Sequence, residues 1–132
     1  NELRKSQATQ LKAFIETLKA RTSPVDTDIL TMGDFNAYLN EDPMTIFESG
    51  PNPLTNLIRS VPENKRYSYV FDGQSGNLDH GLASASLAAQ VSGVTEVHYN
   101  SDEPTVFDYN VEFKNNPACV SARLELLRAR CL

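Results

Sequence analysis

The sequence has few of the features that would assign a protein to a class at a glance. No apolar run approaches the roughly 20 residues that a helix needs to cross a bilayer. The first residues also lack the basic, apolar and small-residue segments of a signal peptide, and the opening at Asn1 is typical of an entry into the middle of a longer protein.

Cysteine is scarce, because Cys119 and Cys131 are the only two. A disulfide between them would close only a tail, so we expect two unpaired thiols.

Positive charge is scarce as well. The chain has 12 Lys and Arg residues against 17 Asp and Glu residues, which gives a net charge of −5. A protein that holds nucleic acid by charge alone usually has a basic stripe, and this sequence has only mild basic clusters at its two ends. The negative net charge argues against a protein that only coats DNA through its own positive charge. It leaves open an enzyme that reaches phosphate through a bound cation, because the metal then supplies the positive charge.

The composition that is present fits a soluble globular protein. The 132 residues are 40% hydrophobic and 22% charged, enough for one domain with a core and short for two. Periodicity and capping predict helices at 1–21, 54–59, 85–89 and 117–132, a short helix that opens at Asp42-Pro43, and strands at 28–32, 67–71, 78–83 and 91–99. The strands at 67–71 and 78–83 are predicted to form a hairpin. This mixed order of helices and strands indicates an α/β or α+β domain.

The most informative segment is the end of the strand that leads into Gly33. Two polar side chains follow it two residues apart, Asp34 and Asn36. If strand geometry persists, both point to the same side of the sheet edge. Asp34 would then be a base or a metal-linked acceptor, and the Asn36 amide would donate to a phosphoryl oxygen or an attacking water. A plain turn is the alternative explanation of the same residues, since Gly-Asp and Asn-Ala are common turn formers.

Several sequence blocks, taken together and in order, carry a resemblance to a known family. They are Gly33 to Tyr38 with Glu41-Asp42-Pro43, Tyr67 to Gly73, Gly76 to His80, His98 to Pro104, and Asp108-Tyr109-Asn110. The pattern resembles the endonuclease/exonuclease/phosphatase superfamily and is closest to large secreted bacterial nucleases. The resemblance covers roughly residues 1 to 114. Any one block is a weak signal, and the ordered set is a specific one.

The resemblance implies roles for three side chains. Asp34 would position or deprotonate the attacking water, or assist the leaving oxygen. Asn36 would hydrogen-bond the phosphate or the nucleophile. Asp79 matches the aspartate that orients a catalytic histidine near the C-terminus, so that the carboxylate fixes the imidazole tautomer. From the residues alone, Asp79 can equally be a helix cap or a hairpin side chain.

Four further side chains have weaker assignments. His80 follows Asp79 directly, so on a strand it faces the opposite way, and a structural role is the leading interpretation. His98 resembles a position of the secreted subgroup, and a supporting role near the site is the default. Asp102 and Glu103 are adjacent carboxylates that can bind a cation, although adjacent acids usually lie on a solvated loop. The predicted set of supporting and metal-binding residues is therefore His80, His98, Asp102 and Glu103.

Two parts of the implied site have no counterpart in the chain. The principal metal-binding glutamate and its companion asparagine belong to the first half of the family's fold. The closing Ser-Asp-His motif is also missing, and residues after about 115 differ in character, with more Arg, Leu and Cys. We interpret residues 115–132 as a divergent, replaced or frameshifted tail. Recovery of Ser-Asp-His-Asp-Pro in another reading frame of the coding DNA would support this interpretation, and its absence from all frames would count against it.

The resemblance implies a fold and a function for the parent protein. The chain would form a single partial domain over residues 1–132, half of a four-layer α/β sandwich with one mixed sheet and flanking helices. The parent would hydrolyse phosphodiester bonds of DNA or RNA with Mg²⁺ or another divalent cation, in an extracellular or periplasmic location. We expect no membrane segment, and homodimerisation or pairing with the missing N-terminal half. The alternatives are a phosphatase or lipid phosphodiesterase on the same fold, and a non-catalytic or vestigial interaction domain.

Overall fold

The computed structural model describes residues 1–21 and 28–103. The chain divides into two units, Asn1–Ser101 and Asp102–Leu132. All the elements below belong to the first unit. Of the second unit only Asp102 and Glu103 are described, so the interpretation of the tail at 115–132, its predicted helix and both cysteines lie outside the described residues.

The first unit is a mixed α/β structure with two small antiparallel sheets. Its helices are α1 (Glu2–Arg21), α2 (Asp42–Glu48) and α3 (Ala85–Ala88), with 3₁₀ turns at Leu57–Ser60 and Glu63–Lys65. Its strands are β1 (Leu30–Asp34), β2 (Thr55–Asn56), β3 (Tyr69–Phe71), β4 (Gln74–Gly76) and β5 (Asp79–Ala83). One sheet has the order β1-β5-β2, and the other pairs β3 with β4. In the described part of the chain, no helix is both long and apolar enough to span a membrane.

The core lies between the two longer helices and the central strand. Ala8 and Ile15 project from one stripe of α1 toward α2, and both are buried. The α2 side chains Met44 and Phe47 meet them there, together with Leu82 of β5. The apolar spacing that predicts α1 is thus the spacing of this contact.

The carboxyl end of α2 is held by a lysine from α1. Lys12 donates from Nζ to the carbonyl oxygen of Ile46 at 2.8 Å and also to that of Ser49. These contacts satisfy carbonyl groups that the end of a helix leaves without intrahelical partners. At the other end of α2 the cap position is Glu41, and Asp42 is the first helical residue.

The sheets differ from the prediction in three respects. The strand at Tyr69–Phe71 pairs with Gln74–Gly76 across a tight turn, so the predicted hairpin between 67–71 and 78–83 is wrong. The segment at 91–98 contains no helix or strand, and the three-stranded sheet is antiparallel where a single mixed sheet was expected. The turn explains the first difference, because Asp72 and Gly73 both adopt positive φ (48° and 75°), which closes the hairpin early.

The side chains of strand β1 are also more exposed than its apolar composition predicts. Its partner β5 occupies the centre of the sheet and is buried from His80 onward. As an edge strand, β1 leaves Leu30 49% and Met32 72% exposed. The exposure of these two side chains therefore follows from the position of β1 at the edge of the sheet, and it cannot be predicted from hydropathy alone.

Candidate functional site

Two of the predicted site residues meet at the end of the β1–β5 ladder. The register places Asp34 directly opposite Asp79, as the last pair of the two strands. Directly opposed residues of antiparallel strands project to the same face, with Cβ atoms about 4.5–5.5 Å apart. Both side chains are exposed. Two like charges in this arrangement repel each other, so the pair is suited to holding a cation between them.

The predicted relation between Asp34 and Asn36 takes a different form from the one expected. Strand geometry ends at Asp34, and Asn36 adopts a left-handed backbone with φ of 49°. The Asn36 backbone N–H donates to Asp34 Oδ1 at 2.7 Å, and its carbonyl oxygen accepts a bond from Arg4. The Gly-Asp-Phe-Asn segment is therefore a strand end followed by an Asx turn, which fixes the Asp34 carboxylate by its own backbone.

Sequence reasoning missed a residue that positions Asp79. The hydroxyl oxygen of Ser68 accepts hydrogen bonds from the backbone N–H groups of Leu78 at 3.1 Å and of Asp79 at 3.3 Å. The Phe35 N–H donates to the Leu78 carbonyl oxygen at 2.9 Å on the other side. The chain entering β5 is thus fixed from both sides. A single serine within an aromatic strand carries no motif that would have identified it.

His80 lies in a closed hydrogen-bond network behind the site. It is 2% exposed, its Nε2 lies 2.8 Å from the carbonyl oxygen of Ala37, and its Nδ1 lies 3.1 Å from Nδ2 of Asn56. A carbonyl can only accept, so Nε2 carries the proton and Nδ1 accepts from the Asn56 amide. Both ring nitrogens are therefore occupied, and His80 has no nitrogen free to act on substrate or on Asp79.

His98 belongs to a second polar cluster, together with Asn77 and Glu96. Its ring stacks on Tyr67 with centroids 3.8 Å apart and planes at 7°. The Asn77 amide donates to Glu96 Oε1. Three buried atoms of this cluster have no hydrogen-bond partner among the described residues: Asn77 Oδ1, Glu96 Oε2 and His98 Nδ1. Such orphaned atoms are rare in folded proteins.

The environment of Glu96 disfavours its charged form. Burial raises the pKa of Glu96 above its ordinary value. The bond from Asn77, the nearby His98 and His80 rings and the backbone N–H of Tyr67 act in the opposite direction and do not cancel that effect. The carboxyl group is thus held where a proton or a cation would stabilise it.

A cavity of about 910 Å³ lies on the exposed face of β1 and reaches the Asp79 end of the sheet. Leu30 and Met32 contribute apolar walls, and Val94 adds another from the segment after α3. Asp79 and Glu96 bring carboxyl groups to the same cavity. An apolar cleft with a few convergent polar groups is the usual form of a ligand site.

The residues present fit a magnesium-type cation in part. Among residues 1–21 and 28–103, no group of three or more His, Cys, Asp or Glu side chains could hold a metal ion. Mg²⁺, however, keeps several waters and is commonly held by one or two carboxylates together with substrate phosphates. The paired positions of Asp34 and Asp79 at the end of the ladder supply two carboxylates for such a cation. Asp102 and Glu103 are exposed residues of the second unit.

Comparison with known proteins adds no relative to this picture. No family model matches the chain, and neither a curated protein nor a solved structure is detectably similar to it. A functional assignment therefore depends on the sequence blocks and on the geometry of the described residues.

Proposed function

We propose that the chain is part of a metal-dependent phosphodiesterase of the endonuclease/exonuclease/phosphatase type, acting on DNA or RNA in its parent protein. The observation that supports this most directly is the register that sets Asp34 opposite Asp79 at one end of the β1–β5 ladder. The first unit would then be half of a four-layer sandwich. The location that this family implies is extracellular or periplasmic.

Three residues of the chain would have separate roles in such a site. Asp34, held by the Asn36 N–H, presents its second carboxylate oxygen for a water or a leaving oxygen. Asn36 presents an exposed amide within the same turn. Asp79, fixed through Ser68, is available to orient an imidazole or to hold the cation with Asp34. A bound divalent cation would supply positive charge against the phosphoryl oxygens.

We further propose that this chain alone is inactive or nearly so. His80 is committed to Ala37 and Asn56, and His98 is stacked on Tyr67. Neither histidine of the chain is thus arranged as the partner that Asp79 needs. In sites whose members act as a unit, the loss of one member forfeits most of the rate. Pairing with an N-terminal half or with a second copy would supply what is missing.

The test is relaxation of supercoiled plasmid by the purified chain, with Mg²⁺ or Mn²⁺ against a chelator. The assay is run with the chain alone and with a separately expressed N-terminal half of a nuclease of this type. We expect metal-dependent nicking only in the reconstituted sample. Asp34→Asn or Asp79→Asn should lower that nicking by about 100-fold or more, because each removes one charge from the site.

A matched control is available in the β3–β4 turn. Asp72 is also an exposed aspartate, and its own φ is positive. Asp72→Asn preserves the backbone preference there, because asparagine tolerates the left-handed region. It should leave nicking unchanged. Equal nicking by the Asp34→Asn variant and the parent chain, each folded and reconstituted with the N-terminal half, would contradict the assignment.

Two other functions remain as alternatives. A phosphatase or lipid phosphodiesterase would use the same carboxylate pair, since a fold does not fix the substrate. A panel of plasmid, nucleoside monophosphates and phospholipid separates these from a nuclease. A non-catalytic interaction domain is favoured by the exposure of Leu30 and Met32 beside the cavity. Binding of a partner without any turnover of the panel would support that function.

A further inference from the structure

The second polar cluster has an imbalance between donors and acceptors. Asn77 Oδ1 and Glu96 Oε2 are acceptors by their chemistry, and His98 Nδ1 is one whenever the ring proton lies on Nε2. All three are buried without a partner among the described residues. The Asn77 side chain is the most enclosed of them, at 6% exposed. A buried acceptor without a donor is costly, and this cluster places three together.

The three groups are linked through shared contacts. The Asn77 amide donates to Glu96 Oε1, so the remaining oxygens of both groups extend from a single contact. Tyr67 connects the other two residues, because its backbone N–H bonds to Glu96 while its ring stacks on His98. Glu96 also lines the cavity of about 910 Å³, which provides a route for a small ligand.

The number of orphaned atoms narrows the choice of ligand. A proton on Glu96 Oε2 turns that oxygen into a donor for one of the other two atoms and leaves the last one unsatisfied. A single water donates two hydrogen bonds, so the third atom stays unsatisfied as long as His98 Nδ1 is an acceptor. A cation can accept a lone pair from each of the three, because carboxylate, amide oxygen and neutral imidazole are all metal ligands.

We propose that Asn77 Oδ1, Glu96 Oε2 and His98 Nδ1 form a binding site for a divalent transition metal of the zinc and manganese type. One imidazole nitrogen with two oxygens is a mixed donor set, which suits these ions better than Mg²⁺. This site is distinct from the carboxylate pair of Asp34 and Asp79. It does not depend on the proposed phosphodiesterase activity.

The chain has only two histidines, which makes the imidazole nitrogens a direct reporter. The probe is Zn²⁺, titrated into chelator-treated protein in a Cys119→Ser/Cys131→Ser background, so that thiols do not contribute. Long-range ¹H–¹⁵N spectra should show one-to-one binding that shifts the Nδ1 signal of His98. The signals of His80 should stay in place, because both of its nitrogens are already occupied.

Variants separate this site from the carboxylate pair. Glu96→Gln and His98→Phe should weaken Zn²⁺ binding, measured by calorimetry, by more than the roughly 10–100-fold that loss of an outer-shell partner costs. Phenylalanine keeps a ring that can stack on Tyr67, and unchanged His80 signals show that the variants are folded. Asp34→Asn and Asp79→Asn should leave the affinity unchanged. No stoichiometric binding, binding that survives Glu96→Gln, or loss of binding only in the Asp34 and Asp79 variants would overturn the proposal.

Discussion

Among single residues, the contrast between the two histidines matters most for interpretation. His80 has a partner on each ring nitrogen and is almost fully buried, whereas His98 has an orphaned Nδ1 beside Glu96 and Asn77. A satisfied buried network stabilises a fold, while an unsatisfied one indicates a ligand or a cost. The two clusters therefore respond differently to substitution, and each response can be measured.

Removal of the Asn56 side chain tests the satisfied network. Asn56→Ala would leave His80 Nδ1 and the Ile58 N–H without the groups that now bond them. We expect a loss of about 1–3 kcal/mol in the free energy of unfolding, measured by urea denaturation. Asn64→Ala is the matched control, because Asn64 is exposed in a 3₁₀ turn, and it should change stability by less than about 0.5 kcal/mol. Equal effects of the two variants would show that the network contributes nothing.

The raised pKa of Glu96 predicts how stability depends on pH in the absence of metal. Since the folded protein binds this proton more tightly than the unfolded chain, the contribution is fully present below the unfolded pKa of about 4.3. It is lost as the pH rises through the higher folded pKa. Glu96→Gln, in chelator, should therefore gain stability relative to the parent chain between pH 4 and pH 7.

Urea denaturation of both proteins across that range provides the measurement. Glu63→Gln, at an exposed position in a 3₁₀ turn, serves as the control for the substitution itself. A pH-independent stability difference between Glu96→Gln and the parent chain would mean that burial does not shift the Glu96 titration.

Sequence reasoning identified some of these residues and missed others for a physical reason. Asp34 stands out because it follows a buried apolar strand and Gly33, whereas Asp79 was indicated by the family resemblance alone. Their direct opposition depends on long-range strand register, which no local pattern specifies. Asn77 was not singled out at all. Of the second cluster, His98 was indicated by the family resemblance, and Glu96 was not singled out because its segment was predicted to be an ordinary strand.

At the scale of elements, local signals predicted several helices and strands and failed for others. The predicted helices at 1–21 and 85–89 lie close to α1 and α3, and the predicted strands at 28–32 and 78–83 lie close to β1 and β5, because periodicity and capping are local. The predicted helix at 54–59 is wrong in part, since that segment contains β2 and the start of a 3₁₀ turn. The strand at 91–99 was wrong, although its β-branched composition favours a strand. A strand needs a neighbour with free backbone groups, and composition does not reveal whether one is present.

The contact between α1 and α2 gives a prediction at this scale. Ile15 is 2% exposed in the core, whereas its neighbour Phe14 is 56% exposed on the same helix. Ile15→Ala should lower the free energy of unfolding by about 2–5 kcal/mol, since it removes buried volume that the core cannot refill. Phe14→Ala should change it by less than about 0.5 kcal/mol. Thermal denaturation followed by circular dichroism measures both, and a larger loss for Phe14→Ala would contradict this assignment of the buried face.

At the scale of the whole molecule, the effect of the negative net charge is increased because several basic side chains are bound within the protein. Arg4 pairs with Glu41 at 2.9 Å, and Arg59 binds the Glu48 carboxylate. Lys12 is bound to carbonyl oxygens at the end of α2. These cations are committed to contacts within the protein. The residue counts indicated the net charge, but only the structure shows that these three positive charges are engaged.

This arrangement predicts that nucleic acid binds through the cation and not through a basic surface. A protein that neutralises 6–10 phosphates loses about 10³–10⁵ in affinity between 50 and 200 mM salt. For this chain we expect duplex DNA binding in Mg²⁺ to fall by less than about tenfold over that range, and to disappear in chelator. Fluorescence anisotropy of a labelled duplex measures both dependences.

Two substitutions make the measurement specific to the carboxylate site. Asp79→Asn should remove the Mg²⁺-dependent binding, because it weakens the carboxylate pair at the end of β5. Lys65→Gln changes an exposed basic residue in a 3₁₀ turn and should leave the affinity within about twofold. Binding that persists in chelator with a steep salt dependence would instead indicate a basic surface. A phosphodiesterase site that depends on its metal would then be the wrong explanation for DNA recognition.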